Sequence, residues 1–110
     1  MSAEVRSSPP GFVVLYRWRL HPGTENGFTQ AWSHVTNLLR SRGSLGARLH
    51  RGSDGLWYSY AQWPDAQSRE KAFAAGPVDA SASAQIREAV AESFPEIVLD
   101  VAADFIAPTE

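Results

Sequence analysis

The stretch Leu56-Trp57-Tyr58-Ser59-Tyr60-Ala61-Gln62-Trp63-Pro64 contains four aromatic residues in nine positions. It follows the turn sequence Ser53-Asp54-Gly55 and ends at Pro64-Asp65, which is typical of a helix start, so the sequence predicts a β-strand here. Such a strand is too rich in aromatic residues to lie uncovered in water. The rest of the chain must therefore supply elements that cover both of its faces.

The composition limits what the protein can be. Its 110 residues are enough for one domain with a single core. Twelve Asp and Glu outnumber ten Lys and Arg, so a broad nucleic-acid-binding face is not expected. The absence of cysteine excludes disulfides and thiolate chemistry. Since no apolar run resembles a signal peptide or a membrane span, we expect a cytoplasmic protein with no membrane partner.

The first half of the chain predicts a strand, a helix and a hairpin. Residues 12–20 have strand composition, and residues 25–42 form an amphipathic helix with Thr24 as its N-cap. Residues 45–51 then pair with the aromatic strand through a two-residue turn at Asp54-Gly55. That turn would place the side chains of Arg48 and His50 on the same face as those of Trp57, Ser59 and Trp63.

The second half predicts two capped helices and a final strand. Asp65 begins a short helix that ends at Ala75, and Asp79 begins another. The apolar stripe of this last helix consists of Ile86, Val90 and Phe94. With a strand over residues 96–107, the order is β-α-β-β-α-β, an α+β fold of the ferredoxin-like class. We expect a four-stranded antiparallel sheet with the helices on one face, flanked by a disordered leader (1–11) and a short tail (108–110).

The face of the sheet without helices predicts an oligomer. It would expose apolar side chains, among them those of Val13, Leu15, Tyr58 and Tyr60. Soluble monomers seldom show so large an apolar patch. We therefore expect a homodimer in which two open sheet faces pack together.

Several short motifs resemble the antibiotic biosynthesis monooxygenase family of the dimeric α+β barrel superfamily. They are Tyr16-Arg17-Trp18 before His21-Pro22-Gly23, the helix around Ala31-Trp32, and Ala61-Gln62-Trp63-Pro64 at the end of the third strand. The resemblance covers about residues 12–106. It implies the ferredoxin-like fold, a dimer, and an activity among those of the family, which include cofactor-independent oxygenation of aromatic polyketides and phenols, quinol oxygenation and haem degradation.

The same resemblance argues against haem degradation. The haem-degrading branch uses an Asn, a Trp and a haem-ligating His, whereas the corresponding positions here hold Tyr16 and Phe73, and residues 81–85 contain no His. Trp63 matches a Trp at the end of the third strand in the cofactor-free oxygenases, whose substrate pocket lies between the sheet and the helices.

Seven residues are candidates for a site. The candidate pocket walls are Trp18, Trp32, Trp57, Trp63 and Phe73, although core packing is the more common role of such residues. His34 and Tyr16 are candidate catalytic groups, because either could stabilise the deprotonated form of a phenolic substrate. His34 lies on the first helix and could also be a solvated surface residue.

No cofactor is expected from the motifs. The histidines lack metal-ligand spacing, and neither a Gly-x-Gly-x-x-Gly pattern nor a P-loop occurs. Together with the aromatic strand and this absence of cofactor motifs, the resemblance implies a cofactor-independent monooxygenase that oxidises a phenolic or polycyclic aromatic molecule, such as a polyketide or quinol, with O2. The alternative is a dimer of the same fold that binds a small molecule without catalysis or has a structural role.

Overall fold

The computed structural model describes residues 11–107. In that range the strands are β1 (Phe12–Leu20), β2 (Gly46–Arg51), β3 (Trp57–Trp63), β4 (Val90–Ser93) and β5 (Ile97–Leu99). The helices are α1 (Glu25–Leu39), which continues as a 3-10 turn over Arg40–Arg42, α2 (Ala66–Ala74) and α3 (Ala80–Ala89). The predicted tail (108–110) and all of the predicted leader except Gly11 lie outside the described residues.

The strands form one antiparallel sheet in the order β2-β3-β1-β4, and β5 also pairs with β1. Because β3 pairs with β1 along most of its length, β4 and β5 share the opposite edge of β1. Together they occupy the place of the predicted fourth strand. The predicted α+β, ferredoxin-like fold is confirmed.

The helix starts were predicted with mixed success. The side chain of Asp65 accepts the backbone N–H of Ser68 at 2.7 Å, and that of Asp79 accepts the N–H of Ala82 at 2.9 Å. Both are N-caps, as predicted. Thr24 precedes α1 but does not cap it, because its hydroxyl instead donates to the carbonyl of His21 at 2.7 Å.

The turn of the β2–β3 hairpin has three residues, so the prediction of a two-residue turn is wrong. The N–H of Gly52 donates to the carbonyl of Leu56 at 2.7 Å, which leaves residues 53–55 as the loop. Gly55 ends this loop with φ of 86°, a left-handed conformation that closes three-residue hairpins with a bulge. The extra loop residue shifts the pairing of the two strands by one position.

The shift exchanges the two faces of β2. Ser59 pairs with Leu49, and Ala61 pairs with Ala47, so these β2 residues share the helix-covered face of the sheet. The prediction that placed Arg48 and His50 there is therefore wrong. The faces predicted for β3 do not change, because its pairing with β1 fixes them independently.

The last helix and the last strand are both shorter than predicted. Helix α3 ends at Ala89, and the next four residues form β4, so Val90 and Phe94 do not extend a helical stripe. Pro95 lacks an N–H for the sheet and separates β4 from β5. Residues 100–106 form no strand, and Phe105 is 94% exposed.

The core lies where the sheet meets α1 and α3. Phe28 of α1 is fully buried at its centre, between Leu20 and Ala89. The rings of Trp18 and Trp57 meet Phe28 edge-on, with centroids 5.3 and 5.9 Å away. All of these sheet residues point to the helices, which confirms that the helices cover one face.

The opposite face is open. Leu15, Tyr58 and Tyr60 are half-buried there, and Ile97 and Leu99 of β5 are exposed beside them. Val13 has the same orientation but is 1% exposed. The prediction that it adds to the apolar patch is therefore wrong.

Candidate functional site

A cavity of about 210 Å³, partly open to solvent, lies between the sheet and the helices. Its wall is largely apolar, and the sheet contributes the small residues Ala47, Ser59 and Ala61. The aromatic residues that line it are Tyr16, Trp18, Trp32, Trp63 and Phe73. Apolar clefts with a few polar groups are the usual form of small-molecule sites.

Strand alternation brings the sheet residues of this wall together. Tyr16 pairs directly with Ser59, so their side chains stand next to each other on the helix-covered face. Trp63 lies at the far end of β3, where it meets Phe73 of α2 edge-on with centroids 5.8 Å apart. Trp32 reaches the cavity from α1, one turn after the buried Phe28.

The Tyr16 ring is held in a stack with Trp18. Their centroids are 5.8 Å apart and their planes differ by 3°. Trp18 is itself packed against Phe28, so the stack is anchored to the core. The orientation of the Tyr16 hydroxyl is therefore set by the fold.

Arg69 of α2 binds the Tyr16 hydroxyl. Its Nη2 donates to the Tyr16 oxygen at 2.9 Å and to the two carboxylate oxygens of Glu96 at 2.9 and 3.0 Å. The guanidinium also lies over the rings of Tyr16 and Phe73, 5.8 and 5.1 Å from their centroids. The Arg69 side chain is 18% exposed, so its contact with Tyr16 is partly shielded from water, whereas Glu96 is 41% exposed.

The environment keeps Tyr16 neutral at ordinary pH. Burial raises the pKa of its hydroxyl, and the negative charge of Glu96 adds to this effect. The hydrogen bond and the charge of Arg69 act in the opposite direction, but the net result is a pKa above the ordinary value of about 10. Tyr16 therefore has a proton to donate across the neutral range.

Two of the predicted site residues lie outside the cavity wall. Nε2 of His34 is 3.0 Å from a carboxylate oxygen of Asp79, and the histidine side chain is 53% exposed. The backbone N–H of Ala82 and the His34 bond lower the pKa of Asp79. Trp57 packs on Phe28 instead, with the guanidinium of Arg51 above its ring.

Arg69 and Glu96 were missed by the sequence analysis. Arg69 had a usable signal, because it precedes Phe73 by four residues and so lies on the same face of α2. Glu96 had none, since its position beside Arg69 depends on the break in the edge strand at Pro95. Within residues 11–107, no three His, Asp or Glu side chains are grouped as a metal site would require. Likewise, none of the helices in this range has the length and apolarity to span a membrane.

No family model and no curated protein matches the sequence. Solved structures do match. The cofactor-independent oxygenase SnoaB of Streptomyces nogalater superposes with a TM-score of 0.71 at 15% identity, over 87% of this chain and 97% of its own. Two proteins assigned to the antibiotic biosynthesis monooxygenases match with similar TM-scores. The one from Caulobacter crescentus CB15 has a TM-score of 0.69 at 15% identity, over 86% of this chain and 92% of its own.

The second of these proteins, from Bordetella bronchiseptica, has a TM-score of 0.67 at 19% identity, over 88% of this chain and all of its own length. The fold and the cavity beneath the helices thus define an α+β protein of the ferredoxin-like class. Its structural neighbours are antibiotic biosynthesis monooxygenase family proteins, so the resemblance predicted from the sequence is confirmed for the fold.

Proposed function

We propose that the protein is a cofactor-independent monooxygenase of a phenolic or polycyclic aromatic small molecule. The observation that carries the proposal is the aromatic cavity, whose wall includes Tyr16, the residue whose hydroxyl is bound by Arg69. A flat aromatic substrate would pack well against such a wall, because aromatic rings favour stacked and edge-on contacts. The likeness in fold to SnoaB, a cofactor-independent oxygenase, adds support.

In this proposal, Tyr16 stabilises the deprotonated substrate. Its hydroxyl donates a hydrogen bond to the substrate oxygen, where the negative charge develops. We assign this role to Tyr16 and not to the other predicted catalytic residue, His34. The His34 side chain is half exposed and already bonded to Asp79, whereas Tyr16 lines the cavity.

The chemistry needs no other reductant than the substrate. The electron-rich anion transfers one electron to O2, and the resulting substrate radical and superoxide combine into a peroxide with a new C–O bond. Loss of water from the peroxide leaves a carbonyl. A CH2 group and O2 thus give a C=O group and H2O, with one oxygen atom in each product. The proton lost on ionisation of the substrate is recovered in the water.

Oxygen uptake tests the proposal. Anthrone, a tricyclic with an ionisable CH2 group, is mixed with EDTA-treated protein in an oxygen electrode. We expect uptake faster than in buffer, with anthraquinone as the product. The control is Ala47→Trp, which fills the cavity from the sheet side and should return uptake to the buffer rate. If neither anthrone nor a panel of naphthols and quinols raises the rate, the proposal fails.

A second candidate is binding without catalysis, which the same cavity favours over a purely structural role. The two functions differ in one experiment. Saturable binding of anthrone, lost in Ala47→Trp and accompanied by no oxygen uptake, would support the binding function.

We also propose that the protein is a homodimer joined through its open sheet face. The support is the apolar patch formed by Leu15, Tyr58, Tyr60, Ile97 and Leu99, which no helix covers among residues 11–107. Two such faces can pack as a two-fold interface, in which the same patch is used by both chains.

A further inference from the structure

We propose that Arg69 and Glu96 fix Tyr16 as a hydrogen-bond donor to the ligand, so that the cavity selects molecules with an acceptor oxygen at this point. The inference rests on the cavity being the site of the proposed function. It adds the ligand chemistry, and it assigns Arg69 and Glu96 as positioning residues.

The guanidinium group of Arg69 decides the direction of its hydrogen bond with Tyr16. Arginine carries only N–H donors and has no acceptor. At a separation of 2.9 Å, the Tyr16 oxygen must therefore accept a hydrogen bond from Arg69 Nη2. The other proton of the same nitrogen is directed to the carboxylate of Glu96. Tyr16 cannot reverse this bond, so its own proton is left for another partner.

Within residues 11–107, the Tyr16 hydroxyl donates to no protein acceptor. A phenolic oxygen can accept one hydrogen bond and donate another at the same time. The stack with Trp18 prevents the ring from turning to find an acceptor elsewhere. Tyr16 also lines the cavity, and the proposal places the ligand oxygen within hydrogen-bond distance of its hydroxyl.

Glu96 sets the direction of the whole arrangement. Its two carboxylate oxygens both bind Nη2 of Arg69, which holds the guanidinium between the carboxylate and the phenol. The expected ligands carry a ketone, quinone or phenolate oxygen, which can accept the hydrogen bond that Tyr16 donates.

Two bicyclic probes test the inference: 1-indanone and indane have nearly the same shape and differ by one carbonyl oxygen. Their dissociation constants are measured by calorimetry for the intact protein and its variants. Tyr16→Phe should weaken the binding of indanone about fivefold, as expected for one lost hydrogen bond, and leave the binding of indane unchanged. Tyr58→Phe removes a hydroxyl from the opposite face of the sheet and should change neither.

The Arg69 variants separate the direction of the bond from simple packing. Arg69→Gln introduces an amide oxygen that can accept a hydrogen bond from Tyr16. The binding of indanone should therefore weaken by a similar factor, while the binding of indane should not. Arg69→Lys keeps a group that only donates and should restore most of the indanone affinity. A merely structural role would weaken both probes together in both variants.

Three results would overturn the inference. They are unchanged indanone affinity in Arg69→Gln, an equal loss for both probes, or no binding of either probe to the native protein. The test is independent of turnover. Selective loss of indanone in a protein that consumes no oxygen would leave this inference standing and contradict the monooxygenase proposal.

Discussion

Tyr16 and Tyr58 lie on paired strands and on opposite faces of the sheet, and they use their hydroxyls in opposite ways. Tyr58 donates its proton to the carboxylate of Asp54 in the hairpin loop, and this bond raises the pKa of Tyr58. The pKa of Tyr16 is raised mainly by burial, and its oxygen accepts a hydrogen bond from Arg69. The first hydroxyl is engaged within the protein, whereas the second has a proton to give.

The two faces differ in the same sense. The helix-covered face encloses aromatic rings around a cavity, and its residues include the nearly fully buried Trp63. The open face presents half-buried tyrosines and exposed aliphatic residues of β5 to whatever lies beyond the sheet. One face thus encloses a cavity, and the other presents an apolar surface that no described helix covers.

The largest effect should come from truncating the helix-covered face. Trp63 is 1% exposed, so Trp63→Ala should lower the free energy of unfolding by about 3–5 kcal/mol in a urea titration. Tyr60→Ala, on the half-buried open face, should lower this free energy much less when both variants also carry Leu15→Arg, which keeps the chains apart. Trp63→Phe should be milder as well, because among the described residues the buried indole N–H has no hydrogen-bond partner. Equal losses for Trp63→Ala and Tyr60→Ala would contradict the contrast between the faces.

A charge on the open face should separate the chains without changing the cavity. Leu15→Arg places two cations in a two-fold interface and should weaken the dimer at least tenfold, since like charges must approach there. Sedimentation velocity at micromolar concentration would show the one-chain mass in place of the two-chain mass. The matched control is Leu15→Met, which keeps the dimer. Native protein that sediments as a single chain would refute the dimer.

The pKa values of the two tyrosines should respond to different neighbours. Arg69→Gln removes the influences that lower the pKa of Tyr16 and should raise it further, whereas Glu96→Gln should lower it. Asp54→Asn should lower the pKa of Tyr58 and leave Tyr16 unchanged. Absorbance at 295 nm, in variants that retain one tyrosine, measures each titration. A Tyr16 pKa that does not change in Arg69→Gln would show that the hydrogen bond from Arg69 to Tyr16 is absent in solution.

The smallest effect concerns stability at high pH. Because the pKa of folded Tyr16 lies above its unfolded value of about 10, the neutral hydroxyl is favoured by folding. This contribution is complete below the unfolded pKa and is lost as pH rises through the folded pKa. In Tyr16→Phe, the free energy of unfolding should therefore decline less steeply with pH above about 10 than in the native protein. A decline as steep as in the native protein would contradict the raised pKa.

The sequence was sufficient for the order of elements and for the aromatic residues of the cavity wall. Strand alternation alone placed Tyr16 and Trp18 on one face, and the resemblance pointed to Trp63 and Phe73. The register of β2 could not be predicted, because Asp54-Gly55 is compatible with loops of two or three residues, and only the pairing of Gly52 with Leu56 decides between them.

The remaining errors also have local causes. His34 has helical periodicity near the apolar stripe, but the N-cap of α3 lies beside it and binds its ring. The edge strand was predicted as continuous because the alternation of residues 96–107 is regular. Pro95 interrupts the edge, and this interruption is what brings Glu96 to Arg69. The polar part of the site thus depended on a tertiary contact that no spacing revealed.

The most direct test of the central claim is the rate of anthrone oxidation by Tyr16→Phe and Tyr58→Phe under identical conditions. Each variant loses one tyrosine hydroxyl, on opposite faces of the same sheet. We expect kcat to fall about a hundredfold in Tyr16→Phe, the usual loss for one donor to a developing oxyanion, and to be unchanged in Tyr58→Phe. Equal rates in the two variants would contradict it.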